Sequence, residues 1–193
     1  MTEQNRTPAD TFSDLLRFQA PKALAWVRGQ DAYPPLSGLV KFYTTPYEGV
    51  LVEAEFFNLP KDPSPGYGSF FAMHIHENGD CSQSFRRVGA HYNPTGMSHP
   101  YHGGDLLPLM ANDGYAWASF YDKRFSIDEI LGRSVVLHSQ ADDFTSQPSG
   151  NPGIPIGCGR IAFAVETDKK AHAVTIYMIR FMQIPFCFIR LVF

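Results

Sequence analysis

From Ala23 onward the chain breaks into short apolar runs separated by turn residues. "ALAWVRG" (23–29) and "LSGLVKFYTT" (36–45) alternate apolar and polar positions imperfectly. "GVLVEAEFFNLP" (49–60) is cleaner, with Glu53 and Glu55 interleaved with Ala54 and Phe56. That period of two leaves one face wet and buries the other. "SFFAMHIH" (69–76), "GYAWASFYD" (114–122), "SVVLHS" (134–139) and "CGRIAFAV" (158–165) read as further strands. Two irregular stretches lie between them, about Cys81–Leu109 and Ser139–Gly157. Compact domains rarely carry loops of that length unless the loops have a task or are held in place. The pattern predicts an all-β fold, a β-sandwich or flattened barrel with Greek-key links and two long functional loops.

The flanking segments read differently. Residues 1–22 are expected to be a flexible N-terminal arm, with at most a short helix capped by Thr11 and running to Leu16, Asp14 lying three residues on. "FSIDEILGRS" is expected to be a turn with solvated Asp128 and Glu129, and Trp26 and Trp117 are expected in the core.

Composition narrows the class. A chain of 193 residues suits one domain with a substantial core. Its 44% hydrophobic and 18% charged residues describe an ordinary globular protein. A net charge of −3 argues against nucleic acid as a partner, which calls for a basic stripe. The start has no basic segment followed by an apolar one, so no secretory signal is read as written; the cytoplasm is the expected compartment, with export left open.

The candidate chemistry lies in histidines. His74 and His76 are two apart in a predicted strand and so face the same way. Alone, such a pair is read equally well as hydrogen-bonding strand residues. "AHYNPTGMSHPYHGGD" adds His91, His99, His102 and Asp105 among prolines and glycines that forbid regular structure. Three imidazoles and a carboxylate make the closed four-ligand count of a structural zinc site. His138 ends another strand and, with His91, could complete an all-imidazole site suited to copper or zinc. His91 borders both clusters, and an imidazole has two nitrogens.

The segments "HIHENGDCS", "GAHYNP", "HGGDLLPL", "GRSVVLHSQADD" and "PSGNPG…CG" resemble the copper/zinc superoxide dismutases in order and spacing, over about Ala23–Val165. The resemblance implies an eight-stranded Greek-key β-barrel. It implies copper held by His74, His76, His91 and His138, and zinc held by His91, His99, His102 and Asp105, with His91 as a bridging and catalytic imidazole. Asp142 falls on the family's aspartate that ties a copper histidine to a zinc histidine. Cys81 and Cys158 fall on its intrachain disulfide, and Cys187 has no counterpart. The implied activity is conversion of superoxide to dioxygen and hydrogen peroxide through a copper redox cycle. The alternative is a non-catalytic, SOD-like copper/zinc-binding module. A homodimer is left open.

Two local departures from the family pattern bear on these expectations. Only Pro100 and Tyr101 separate His99 from His102, a short zinc loop. Pro155 stands three residues before Cys158, where the family carries an arginine that guides the anion; Arg160 belongs to the strand and is a poor substitute. Beyond the resemblance, 166–193 form an apolar extension. Arg180, Gln183, Pro185 and Arg190 interrupt it, and a central Arg costs ~2.5–3.5 kcal/mol on insertion, so a membrane is not the expected partner. His172 within it reads as an ordinary surface residue. The division expected is therefore 1–22, 23–165 and 166–193.

Overall fold

Alternation in the sequence becomes pleat in the computed structural model, which describes residues 6–61 and 70–164. Strand β1 (Ala23–Gly29) buries Ala23, Ala25 and Val27 and turns Trp26 and Arg28 outward. It pairs antiparallel with β2 (Ser37–Thr44), which pairs in turn with β3 (Val50–Phe57). Gly38 sits opposite Phe56, and a Cβ there would lie 2.4 Å from the Phe56 ring, so the missing side chain makes room for the aromatic.

The remaining strands are β4 (Phe70–Phe71), β5 (Met73–His76), β6 (Leu109–Met110), β7 (Ala116–Asp122), β8 (Ser134–His138) and β9 (Pro155–Phe163). Seven of them form one curled antiparallel sheet in the order β5-β8-β9-β1-β2-β3-β7. β4 pairs with β6, and β6 lies beside β7, so the two edges of the sheet approach each other. The curl encloses one continuous apolar core that includes Val40, Phe42, Val52, Phe56, Met73, Ile75, Leu137 and Ile161. β7 and β8 lie far apart in this order, and the link between them crosses from one edge of the sheet toward the other, as Greek-key connectivity requires.

The structure changes several expectations. "SFFAMHIH" is not one strand: Ala72 donates to Gln140 O (2.7 Å) and accepts from His138 N (2.9 Å), which separates β4 from β5. Trp26 and Trp117 are not core residues but are about half exposed. Each is out of phase with its buried neighbours, so the period of two sends it to the outer face. There Trp117 Nε1 donates to Glu53 (3.2 Å), which also accepts from Lys41 Nζ and Tyr43 OH (2.9 Å each).

The segment read as a flexible arm contains helix α1 (Pro8–Phe18). Its cap is Thr7 rather than Thr11. Thr7 and Asp10 form a capping box, and Pro8 takes the first helical position, where a missing N–H costs nothing. Phe12 stacks on Tyr121 with ring centroids 5.2 Å apart and meets Tyr47 edge-on at 5.6 Å. "FSIDEILGRS" also forms a helical turn, α2 (Ile127–Ile130), because Ser126 and Glu129 cap it reciprocally while Ile127 and Ile130 are buried. Among the described residues, no helix is long and apolar enough to cross a membrane. The extension 166–193, with His172 and Cys187, lies outside the described residues.

Cys81 and Cys158 are joined as a disulfide, with Cα atoms 5.7 Å apart across a sequence separation of 77. It ties the first long loop to β9 beside a small apolar cluster of Phe85, Val88 and Val136. Closing a loop of that size stabilises the fold by ~4 kcal/mol in the chain-entropy account.

Candidate metal centre

The site grows out of the free edge of β5. An unpaired strand edge presents backbone donors and acceptors that need partners. Here the first long loop supplies them: Tyr92 N donates to Ile75 O, Ile75 N to Gly104 O and Gly104 N to Tyr92 O, each at 2.8 Å. This lacing sets His91 opposite His76 and Asp105 opposite His74. A Cβ at Gly104 would lie 2.3 Å from Ile75 O, so only glycine permits that close approach. From the other side, β8 pairs with β5 and ends on His138.

Two four-residue groups result. In each, one ligand atom per residue lies within 4.8 Å of all the others: His74, His76, His91 and His138 in one, and His91, His99, His102 and Asp105 in the other. All of these residues are buried, and His91 belongs to both groups.

Hydrogen bonds select which nitrogen of each ring stays available. His76 Nδ1 donates to Gly89 O at 2.9 Å, leaving Nε2, which lies 3.3 Å from His138 Nε2. His74 Nε2 donates to Asp142 Oδ2 at 2.7 Å, and His99 Nε2 donates to Asp142 Oδ1 at 2.8 Å. His74 Nδ1 is buried without a hydrogen-bond partner, and the buried His99 Nδ1 lies 3.1 Å from Asp105 Oδ2 within its own quartet. His91 Nδ1 meets Asp105 Oδ1 at 2.8 Å, leaving Nε2 for the all-imidazole group. Buried polar atoms normally find partners, so a ring nitrogen left free inside each group has the form of a ligand. The donor sets suit the metals: four neutral imidazoles for copper, and three imidazoles with a carboxylate for zinc.

The electrostatics agree. Burial pushes the His74 pKa down to about 4 and that of His76 to about 3, and drives His138 well below the usual range. These rings are therefore neutral, as ligation requires. Burial alone would raise the Asp105 carboxyl. The bond with His91 and the neighbouring charges of His91, His99 and His102 outweigh it and hold the group down to about 2. Burial is likewise outweighed at Asp142 by hydrogen bonds from His74, the Phe144 N–H and His99, so that carboxyl is also lowered.

The copper/zinc superoxide dismutase family model matches residues 36–161. The chain belongs to this family. It is 37% identical over 160 residues to the extracellular Cu-Zn superoxide dismutase of Oryctolagus cuniculus, covering 78% of this chain and 63% of that protein. It is 32% identical over 141 residues to the copper chaperone for superoxide dismutase of Sus scrofa, covering 66% and 49%. The crystal structure of the clock protein EA4 superposes with a TM-score of 0.64 at 28% identity, over 76% of this chain and 98% of that one. The chain spans about half to two thirds of the length of the extracellular superoxide dismutases it matches. As a member of the copper/zinc family, the chain has histidine clusters that fit copper and zinc.

Three supports of the dismutase-type site carry no obvious mark in the sequence. The Gln147 amide bonds the His99 backbone at both ends. Gly150 lies so close to Asp142 that a Cβ would sit 2.1 Å from Oδ1. Arg124, just past the end of β7, donates to the backbone of His102 and Asp105. Beside the all-imidazole group, Pro155 opens β9 opposite His138 and Ile154 is exposed next to it. Arg160 pairs with Ser134 at the opposite end of β8, and Arg87 is bonded to Asp80 at 3.0 Å.

Proposed function

We propose that this chain is a superoxide dismutase that converts two superoxide anions and two protons into dioxygen and hydrogen peroxide. In this reading, His74, His76, His91 and His138 hold copper, while His91, His99, His102 and Asp105 hold zinc. The single observation that carries it is His91, which is shared by two four-residue groups, with Nδ1 committed to Asp105 and Nε2 left for the other. A site for one structural metal has no need of that sharing. Copper would supply one-electron chemistry by cycling between +2 and +1, and zinc, without redox chemistry, would hold the geometry.

The protein's own groups do the rest. His91 Nε2 would hold one of the two protons that peroxide needs and water would supply the other, so one ring would serve as ligand and proton carrier. Asp142 holds the rings of His74 and His99 in fixed tautomers. His74 is fully buried, whereas His76 and His91 keep 6% and 7% exposure, an opening suited to a small anion.

A second reading, a non-catalytic copper- and zinc-binding module, is favoured by Pro155 in place of a cationic side chain and by the likeness to a copper chaperone. Superoxide consumption by protein loaded with both metals separates the two. Catalytic turnover that is lost in His91→Ala supports the enzyme, and full metal occupancy without turnover supports the module. The disulfide and the likeness to extracellular superoxide dismutases support an oxidising compartment rather than the cytoplasm.

A further inference from the structure

The zinc loop is short and ends in His102-Gly103-Gly104-Asp105, so its own backbone resists deformation weakly. Its internal bonds include His102 N to Asp105 Oδ2 at 3.0 Å, Asp105 N to His102 O at 3.2 Å and Tyr101 N to Ser98 O at 2.9 Å. Further support comes from outside. The guanidinium of Arg124 donates Nη1 to His102 O at 3.1 Å and to Pro100 O at 3.3 Å, and Nη2 to Asp105 O. Two of these three carbonyls belong to residues of the His91–His99–His102–Asp105 group. Asp122 holds the fork in turn: its Oδ1 accepts Arg124 N at 2.8 Å and Nε at 3.0 Å, and its Oδ2 accepts Nη2 at 2.6 Å. Asp122 is itself buried, and its carboxylate offsets the arginine charge, so the pair adds little net positive charge next to a cation site.

We propose that Arg124 is a positioning residue for the zinc quartet, its planar fork fixing the backbone of His102 and Asp105 in ligating geometry. The proposal rests on the reading of that quartet as a zinc site. Arginine suits the task because one rigid group presents several donors at set angles, whereas lysine is a single point charge that cannot span three carbonyls. Partners that orient ligands in this way typically change metal affinity about 10–100-fold.

The test compares wild type, Arg124→Met and Arg124→Lys as full-length, disulfide-intact protein. Zinc release is timed into excess colorimetric chelator, and the visible spectrum is recorded with cobalt(II) in place of zinc. Both variants should release zinc about 10–100-fold faster than wild type. Their cobalt spectra should also lose the resolved bands of a single tetrahedral geometry, which a general loss of stability would not alter in still-folded protein. Should Arg124→Met fail to fold, Arg124→Lys and Asp122→Asn carry the comparison. Release and spectra unchanged in Arg124→Lys would overturn the proposal, because charge alone would then suffice. Unchanged behaviour in Arg124→Met would overturn any role for the side chain. A wild type that takes up neither zinc nor cobalt would instead overturn the zinc reading beneath it.

Discussion

The side chain of Gln147 is bonded to both ends of the His99 backbone: His99 N donates to Oε1 at 3.1 Å, and Nε2 donates to His99 O at 2.7 Å. A side-chain amide here does what a paired strand would do, and it joins the loop after β8 to the loop that carries the proposed zinc quartet. Gln147→Ala removes both bonds at ~1 kcal/mol each. The expected result is a lower thermal midpoint together with faster zinc loss. Gln147→Glu keeps the bond to His99 N but sets a carboxylate against the His99 carbonyl, so it should not rescue zinc retention. Calorimetry and chelator-timed zinc release check both variants, and an alanine variant that keeps zinc as long as wild type would show the clamp to be dispensable.

Asp142 couples the two groups by accepting from His74 and His99 at once. An amide has one acceptor oxygen and a donor NH₂, so Asp142→Asn leaves one ring N–H without an acceptor in a buried setting, a loss of ~1–3 kcal/mol. Copper and zinc affinities should fall together, by about 10–100-fold each. Competition titrations of the two metals check this. Loss confined to one metal would mean that the carboxylate does not couple them.

Acid should destabilise the metal-free protein in a defined window. His74 and His76 have folded pKa values of about 4 and about 3, below the ordinary 6.5. Between those values and about 6.5, the unfolded chain binds protons that the folded chain does not, so stability is present above pH 6.5 and is lost as pH falls toward 4 and 3. Urea unfolding of chelator-treated protein should show a steadily falling midpoint from pH 6.5 to pH 4. Bound metal should raise the midpoint but leave its decline with acid at least as steep, because the metal-bound folded chain also keeps these nitrogens unprotonated while the unfolded chain takes up protons. A flat profile for the metal-free protein would contradict the buried neutral state of these rings.

At the proposed copper site Pro155 offers no guiding cation, and Arg160 lies at the far end of β8. The family is itself the usual example of electrostatic steering and of rates near the diffusional ceiling, ~10⁸–10⁹ M⁻¹s⁻¹. This chain should turn over below that ceiling with weak salt dependence. Pro155→Arg should raise the rate and make it fall with salt, since a Debye length of ~10 Å at 0.1 M screens the new field. Pulse radiolysis at low and high ionic strength decides it. A wild-type rate that already falls steeply with salt would place the guiding charge elsewhere.

The linear pattern already determined most of the strands and the ligand candidates. Ala23–Gly29 and the Glu53/Glu55 alternation in β3 were legible because a pleat converts spacing directly into facing. His74 and His76 share a face for the same reason. His91, His99, His102, Asp105 and His138 were candidates from residue type alone, whereas Asp142 and the Cys81–Cys158 pairing followed from the family resemblance; the fold gathers the histidines and aspartates in one place and joins the cysteines. Spacing could not reveal where partners come from across the fold. Gln147 lies 48 residues from His99, and Arg124 lies 22 from His102. Nothing local marks either one, because a backbone carbonyl accepts from any donor that the fold delivers. The same limit explains Trp26 and Trp117: an aromatic in a strand is apolar whichever way it points, and only the closed curl of the sheet decides which face is inside.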